Sequence, residues 1–142
     1  MTGIIIREFR YPADYALTIR LWQSMEQGVR VGPSDAPAEI EKKLERDPDL
    51  FLVAESEGGL AGTVIGGYDG RRGFVYHLAV AAPFRRSGLG SRLMNEVEGR
   101  LRRKGCIRSY LLVRPDNFEA MRHYQKLGWR LLDDQVFAKD LA

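Results

Sequence analysis

The spacing of apolar positions changes along the chain, and each change marks an element. Ile4 to Phe9 is a β-branched run and predicts a first strand. Tyr15, Ile19 and Trp22 then recur at helical spacing, with Ala16 and Met25 flanking that face and Pro12 suited to the first turn. This helix is expected to end near Gly28. Ser34 or Asp35 can cap a second helix, with Pro37 in its first turn and Ile40 and Leu44 on its apolar side. Asp47-Pro48 stops it. From Phe51 the pattern is that of a sheet. Phe51–Glu55, Leu60–Tyr68 and Phe74–Val80 read as successive strands, separated by Glu57-Gly58-Gly59 and by Asp69-Gly70 with Gly73. They predict an antiparallel meander.

After Gly88 the helical period returns. Leu89, Leu93, Val97 and Leu101 form one stripe, which Met94 widens. Arg100, Arg102, Arg103 and Lys104 suit the C-terminal end of that helix, and Gly105 its stop. Ser109–Val113 is the next strand. Strand, helix, strand in this order is a βαβ unit, so Ser109–Val113 should run parallel to Phe74–Val80. Asn117 can cap a last helix with Phe118, Met121 and Tyr124 on one face, ended by Gly128. Trp129–Leu132 and Gln135–Ala138 are expected to form a final β pair. The fold class is α+β: a mixed, mostly antiparallel central sheet with helices on both faces, expected as one domain over residues 4–141.

Composition narrows the setting. Hydrophobic residues at 44% and charged residues at 29% suit a soluble globular protein. No apolar run approaches the roughly 20 residues that span a bilayer, and the N-terminus lacks the organisation of a signal peptide. A cytoplasmic protein with no membrane partner is expected. The lone Cys106 excludes an intrachain disulfide and a cysteine-rich metal site, and no metal is expected. The net charge is +3, with much of the excess between Arg71 and Arg108. A basic face can mean nucleic acid. No aromatic platform interleaves Arg100 to Arg108, however. A solvated helix face beside a local anion site is the plainer reading.

That anion site is Val75 to Arg92, VYHLAVAAPFRRSGLGSR. An apolar strand turns at Pro83 into a basic, glycine-punctuated loop and then becomes a helix. First-turn N–H groups are unpaired, the macrodipole adds positive charge, and glycine lets an anion approach. A Walker loop would need a lysine after its second glycine, which is missing. A dinucleotide fingerprint would need a third glycine or alanine, and Leu93 stands there instead.

The arrangement that fits is [RQ]-x-x-G-x-[GA], with Arg85, Gly88 and Gly90. Here the sequence resembles the GCN5-related N-acetyltransferase superfamily. The resemblance continues in Asn117-Phe118-Glu119-Ala120-Met121-Arg122-His123-Tyr124, which has the N-x-x-A-x-x-x-Y spacing of a later family motif, and in Leu127-Gly128-Trp129. Through Phe51–Glu55 and Gly62–Gly70 it looks most like a bacterial subgroup of small acetyltransferases of unassigned substrate. The resemblance implies acetyl-coenzyme A in a wedge where two parallel strands splay. Its pantetheine would pair with backbone groups at Leu78, Ala79 and Val80. Its pyrophosphate would meet Arg86, Ser87, Gly88, Leu89, Gly90 and Ser91, with side-chain charge from Arg85 and Arg86. Asn117 is either an N-cap alone or a cofactor contact as well.

The same resemblance gives Tyr124 the role of general acid toward the leaving thiolate. The other reading of Tyr124 is a core aromatic. Related enzymes often place a basic glutamate on the strand that starts here at Phe74, and this strand has none. His77, Glu55 and a relayed water are the alternatives for the base. Cys106 has no paired base, so direct transfer in a ternary complex is expected. The acceptor, a small-molecule or protein amine, is expected between the first two helices, the Val29–Pro33 loop and the Tyr68–Arg72 turn. Trp22, Tyr68 and Asp69 are its candidate contacts. A homodimer through C-terminal sheet edges is possible on this pattern. The alternative function is a non-catalytic acyl-coenzyme A sensor module.

Overall fold

The computed structural model describes residues 3–142. The chain runs β1 (Ile5–Glu8), α1 (Tyr15–Gln23), a 3-10 turn at Pro33–Asp35, α2 (Pro37–Arg46), β2 (Phe51–Ser56) and β3 (Gly59–Tyr68). It continues through β4 (Gly73–Val80), a second 3-10 turn at Ala82–Phe84, α3 (Leu89–Arg103), β5 (Ser109–Tyr110) and α4 (Phe118–Lys126). The sheet order is β1-β2-β3-β4-β5. The first four strands pair antiparallel and β5 lies parallel to β4. The meander and the βαβ unit therefore form as the pattern predicts.

Alternation along the strands builds two cores. Leu52 and Ala54 face α3, whose Leu89, Leu93, Met94, Val97 and Leu101 are all buried. Phe51 and Val53 face the other way, onto Leu21 and Trp22 of α1 and Ile40 of α2. Helices thus cover both faces. Two glycines of β3 let α3 sit close to the sheet. A methyl group on Gly62 would lie 2.9 Å from Leu93 Cδ1 and 2.8 Å from the Ala79 carbonyl, and one on Gly66 would lie 2.8 Å from Val97 Cγ2.

A bulge in β4 sets up the site. Ile65 pairs with Tyr76 and Thr63 with Ala79, so His77 and Leu78 together oppose Val64. The extra residue reverses the alternation. Val75 faces the α3 core, but Ala79 faces the α1/α2 core. His77 takes the left-handed conformation, φ 52, to make the bulge.

Three expectations are corrected. α1 starts at Tyr15 after Pro12, and it stops at Gln23 rather than near Gly28, which lies in the following loop with φ 91. The strand expected over Ser109–Val113 pairs only through Ser109 and Tyr110. The C-terminal β pair is not formed: Trp129–Leu132 and Gln135–Ala138 lie in no strand. Beyond Tyr110 the chain leaves β4 and offers these segments no ladder, and an isolated two-stranded hairpin is marginal in water. Leu131, Val136 and Phe137 are accordingly exposed.

Candidate active site

The donor side is made mostly of backbone. β4 and β5 pair at Gly73–Ser109 and Phe74–Tyr110 and no further, so the outer edge of β4 from Val75 to Val80 has no strand beside it. Pro83 lies in the 3-10 turn that ends β4, as the sequence suggests for a turn-shaping residue. Gly88 is the N-cap of α3, with φ 84 and no side-chain cap. The first-turn N–H groups at Leu89, Gly90 and Ser91 are therefore left for another acceptor. Arg86 also has positive φ, 61, and is exposed with Ser87, whose hydroxyl bonds the Phe84 carbonyl. Arg85 folds back over the strand end. Its Nε donates to the Val80 carbonyl at 3.1 Å and its terminal nitrogen lies 3.7 Å from Met25 Sδ.

α4 meets this edge. A methyl group on Gly90 would lie 3.5 Å from His123 Nε2 and 3.8 Å from Val80 Cγ2, so β4, α3 and α4 converge there. His123 is half-buried, not the surface residue its place beside Tyr124 suggests. Burial and then Lys126 lower its pKa. Tyr124 is partly buried and packs its ring edge toward Trp129 at 6.4 Å between centroids. Burial pushes its phenol up to about 12. Its hydroxyl makes no hydrogen bond among the described residues. Asn117 caps α4, its Oδ1 accepting the Ala120 N–H at 3.2 Å, while its amide faces Gly28 across the cleft.

The opposite side, toward α1 and the Pro33–Asp35 turn, is made of side chains. Trp22, a candidate contact, is 1% exposed and belongs to the core. It acts through neighbours: its Nε1 donates to Thr63 Oγ1 at 2.8 Å, and its ring meets the His77 ring at 4.5 Å between centroids. Thr63 Oγ1 in turn donates to the His77 carbonyl at 2.9 Å. His77 Nε2 lies 3.1 Å from Asp35 Oδ1. Tyr76 stands beside His77 with its phenol raised to about 12, by burial first and then by Asp47 and Asp35. Asp35 and Thr63 had no local sequence signal for this role. They meet His77 only because the 3-10 turn and β3 are folded against the bulge.

Tyr68 and Asp69 lie at the other end of β4, Tyr68 as the last residue of β3 and Asp69 in the β3–β4 connection. Tyr68 bonds the Gly70 carbonyl, and Asp69 Oδ1 accepts the N–H groups of Arg71 and Arg72 at 2.8 Å each. Both are occupied in shaping a turn. Gly73 to His77 spans roughly 13 Å at strand rise, which separates that turn from the bulge. Glu55 is held by Arg7 Nε at 2.5 Å on the β1–β2 side of the sheet. In the basic stretch from Arg100, Arg100 pairs with Glu96 and Glu8, and Lys104 with Asp49. A cleft of about 970 Å³ lies beside β5 and α4 under the C-terminal segment, where the expected β pair does not fill it.

The acetyltransferase (GNAT) family model matches residues 16–129. The chain belongs to the GNAT acetyltransferase family. It is 40% identical to a protein named an acetyltransferase from Pectobacterium atrosepticum over 137 residues, covering 96% of this chain and 94% of that one. It is also 40% identical to an acetyltransferase from Sodalis glossinidius, covering 93% and 99%. Among solved structures it resembles Ard1 from Thermoplasma volcanium, with TM-score 0.79, 30% identity, and coverage of 92% and 85%. This GNAT chain is an acetyl-coenzyme A-dependent N-acetyltransferase. The open β4 edge and the uncapped α3 N-terminus fit such a donor. Among the described residues no cluster of His, Cys, Asp or Glu could hold a metal ion, and no helix is long and apolar enough to cross a membrane.

Proposed function

We propose that the enzyme transfers the acetyl group directly to a primary amine, of a small molecule or a protein, with Tyr124 as general acid and His77 as base. The observation that carries this reading is the Tyr124 phenol, partly buried, without a hydrogen-bond partner among the described residues, and on α4, which approaches β4 and α3 at Gly90. Acetyl-coenzyme A supplies an acetyl group activated as a thioester. Leu78, Ala79 and Val80 offer it backbone groups, and Arg86 to Ser91 receive its pyrophosphate with the uncapped turn of α3. Arg85 leaves the Val80 carbonyl when the pantetheine arrives. Asn117 holds the α4 end of the wedge.

The acceptor nitrogen forms its bond to the acetyl carbon as the carbon–sulfur bond breaks. His77 takes the proton that nitrogen must lose, and Tyr124 gives its own to the departing thiolate. A phenol raised to about 12 is fully protonated at neutral pH. It starts in the form an acid needs, while a free thiol titrates near 8.5. Tyr68 and Asp69 are left out of the acceptor contacts because the turn occupies them.

The test is thiol release from acetyl-coenzyme A over a panel of spermidine, lysine, kanamycin and a peptide α-amine. Tyr124→Phe is expected to lower kcat by about 100-fold with acetyl-coenzyme A affinity retained, the range of a lost general acid. Undiminished turnover would refute the assignment. Cofactor binding with no turnover on any amine would favour the sensor reading.

A further inference from the structure

Asp35 stands apart from the other buried acids. Asp14, Asp35 and Asp47 are the buried aspartates among the described residues. Asp14 faces Arg7 at 2.7 Å and Asp47 faces Lys43 at 2.8 Å, each a permanent cation. Asp35 faces neither lysine nor arginine. Its one partner able to carry positive charge is His77. A buried carboxylate without a cation is costly to keep.

The surroundings fix both members of the pair. Asp35 Oδ2 accepts the Gly32 N–H at 3.0 Å, and the Asp35 carbonyl accepts the Tyr15 hydroxyl at 2.7 Å. The His77 ring is held by the Trp22 edge, and its backbone by Thr63 in the bulge. The 3-10 turn, α1, β3 and β4 thus converge on a single imidazole. A carboxylate can only accept, so the 3.1 Å bond requires the proton on Nε2. In the neutral ring that leaves the lone pair on Nδ1, which has no hydrogen-bond partner among the described residues.

We propose that Asp35 is the positioning residue for His77: it selects the Nε2–H tautomer and balances the imidazolium that forms when Nδ1 takes the acceptor's proton. This rests on the reading of His77 as base. An acceptor arrives as an ammonium ion. Nδ1 removes one N–H proton, the nitrogen pair becomes free for attack, and the imidazolium charge settles against Asp35. The second proton, lost from the nitrogen once its bond to the acetyl carbon has formed, returns to the Tyr124 phenolate left when the thiolate is protonated. No other reagent is needed. The pair supplies what the strand lacks in having no glutamate.

The experiment reads the imidazole nitrogens directly by NMR of protein labelled with 15N-histidine. The chain has 2 histidines, and a His123→Gln variant assigns the signals. Neutral His77 is expected to show protonated Nε2 and unprotonated Nδ1 in the parent protein, and a mixture in Asp35→Ala. Turnover on the fastest amine of the panel is expected to fall ten- to a hundredfold in kcat, with KM within about twofold. A proton on Nδ1 in the parent protein, or an unchanged tautomer in Asp35→Ala, overturns the proposal. If Asp35→Ala does not fold, Asp35→Asn reads the same point. Its amide must either oppose the Gly32 N–H or donate to Nε2 and invert the tautomer. A tautomer change combined with full turnover in His77→Gln would refute the base reading while supporting the hold of Asp35 on the ring.

Discussion

The two halves of the proposed site are built in different ways. The donor half presents backbone: a strand edge that β5 leaves after Phe74, and a helix start whose N-cap, Gly88, has no side chain to fill it. The half proposed for the acceptor presents side chains from separate elements, with Trp22, Thr63, His77 and Asp35 joined by hydrogen bonds and one edge-to-face ring contact. Backbone recognition depends on local conformation. It needs glycine where φ is positive and little else from neighbouring elements. A side-chain network depends on tertiary placement, and one missing member leaves the others unpaired. The halves should therefore fail differently when altered.

The largest expected effect separates them on the donor side. Gly88 has φ 84 with open space around it, so conformation alone reserves it for glycine. A β-branched residue in that conformation costs about 1–2 kcal/mol or more. Gly88→Val should raise the Kd for acetyl-coenzyme A at least about tenfold, measured calorimetrically, since 1.4 kcal/mol is one decade. The His77 tautomer should be unchanged. If the tautomer changes in step with Kd, the halves are not independent.

This division also explains what the sequence made legible. Arg85, Gly88 and Gly90 are close in the chain, as are Asn117 and Tyr124, so fixed spacing carries the family resemblance. The strand order and both helix stripes follow from period alone. Asp35 and His77 are 42 residues apart, and nothing local links them. The bulge that brings them together inserts its extra residue within an ordinary apolar strand. Trp22 was legible as an aromatic on a helix face, but its burial depends on which core that face enters. The C-terminal segments have strand-like composition, yet a strand needs an edge, and β5 is too short to give them one.

A smaller effect is expected from Thr63, which lies between the sheet and the acceptor network. Thr63→Val keeps the volume and removes the hydroxyl that joins the Trp22 indole to the His77 carbonyl. A buried donor would be left unpaired, at a cost of about 2 kcal/mol. Thermal unfolding should show the loss, and kcat should fall with acetyl-coenzyme A affinity unchanged. An equal loss of cofactor affinity would mean that the bulge serves the donor half as much as the acceptor half.

The smallest effect tests the one side chain in the donor half that titrates near neutrality. Burial first, and Lys126 second, lower the pKa of His123 below the ordinary 6.5. The unfolded chain therefore takes up a proton near pH 6.5 that the folded protein still refuses. Stability from this residue is complete above that pH and is lost as pH falls toward the lower folded value. His123→Gln removes the titration, so its unfolding temperature should drop less than that of the parent between pH 7.5 and 5.5. The direction matters beyond the residue itself. His123 packs against Gly90, at the turn assigned to the pyrophosphate. A bound anion there would favour the imidazolium and oppose the effect of burial. Added acetyl-coenzyme A should then narrow the difference between parent and variant at pH 5.5. If it leaves the difference unchanged, His123 only packs in the wedge and the donor half recognises its ligand through backbone and arginine alone.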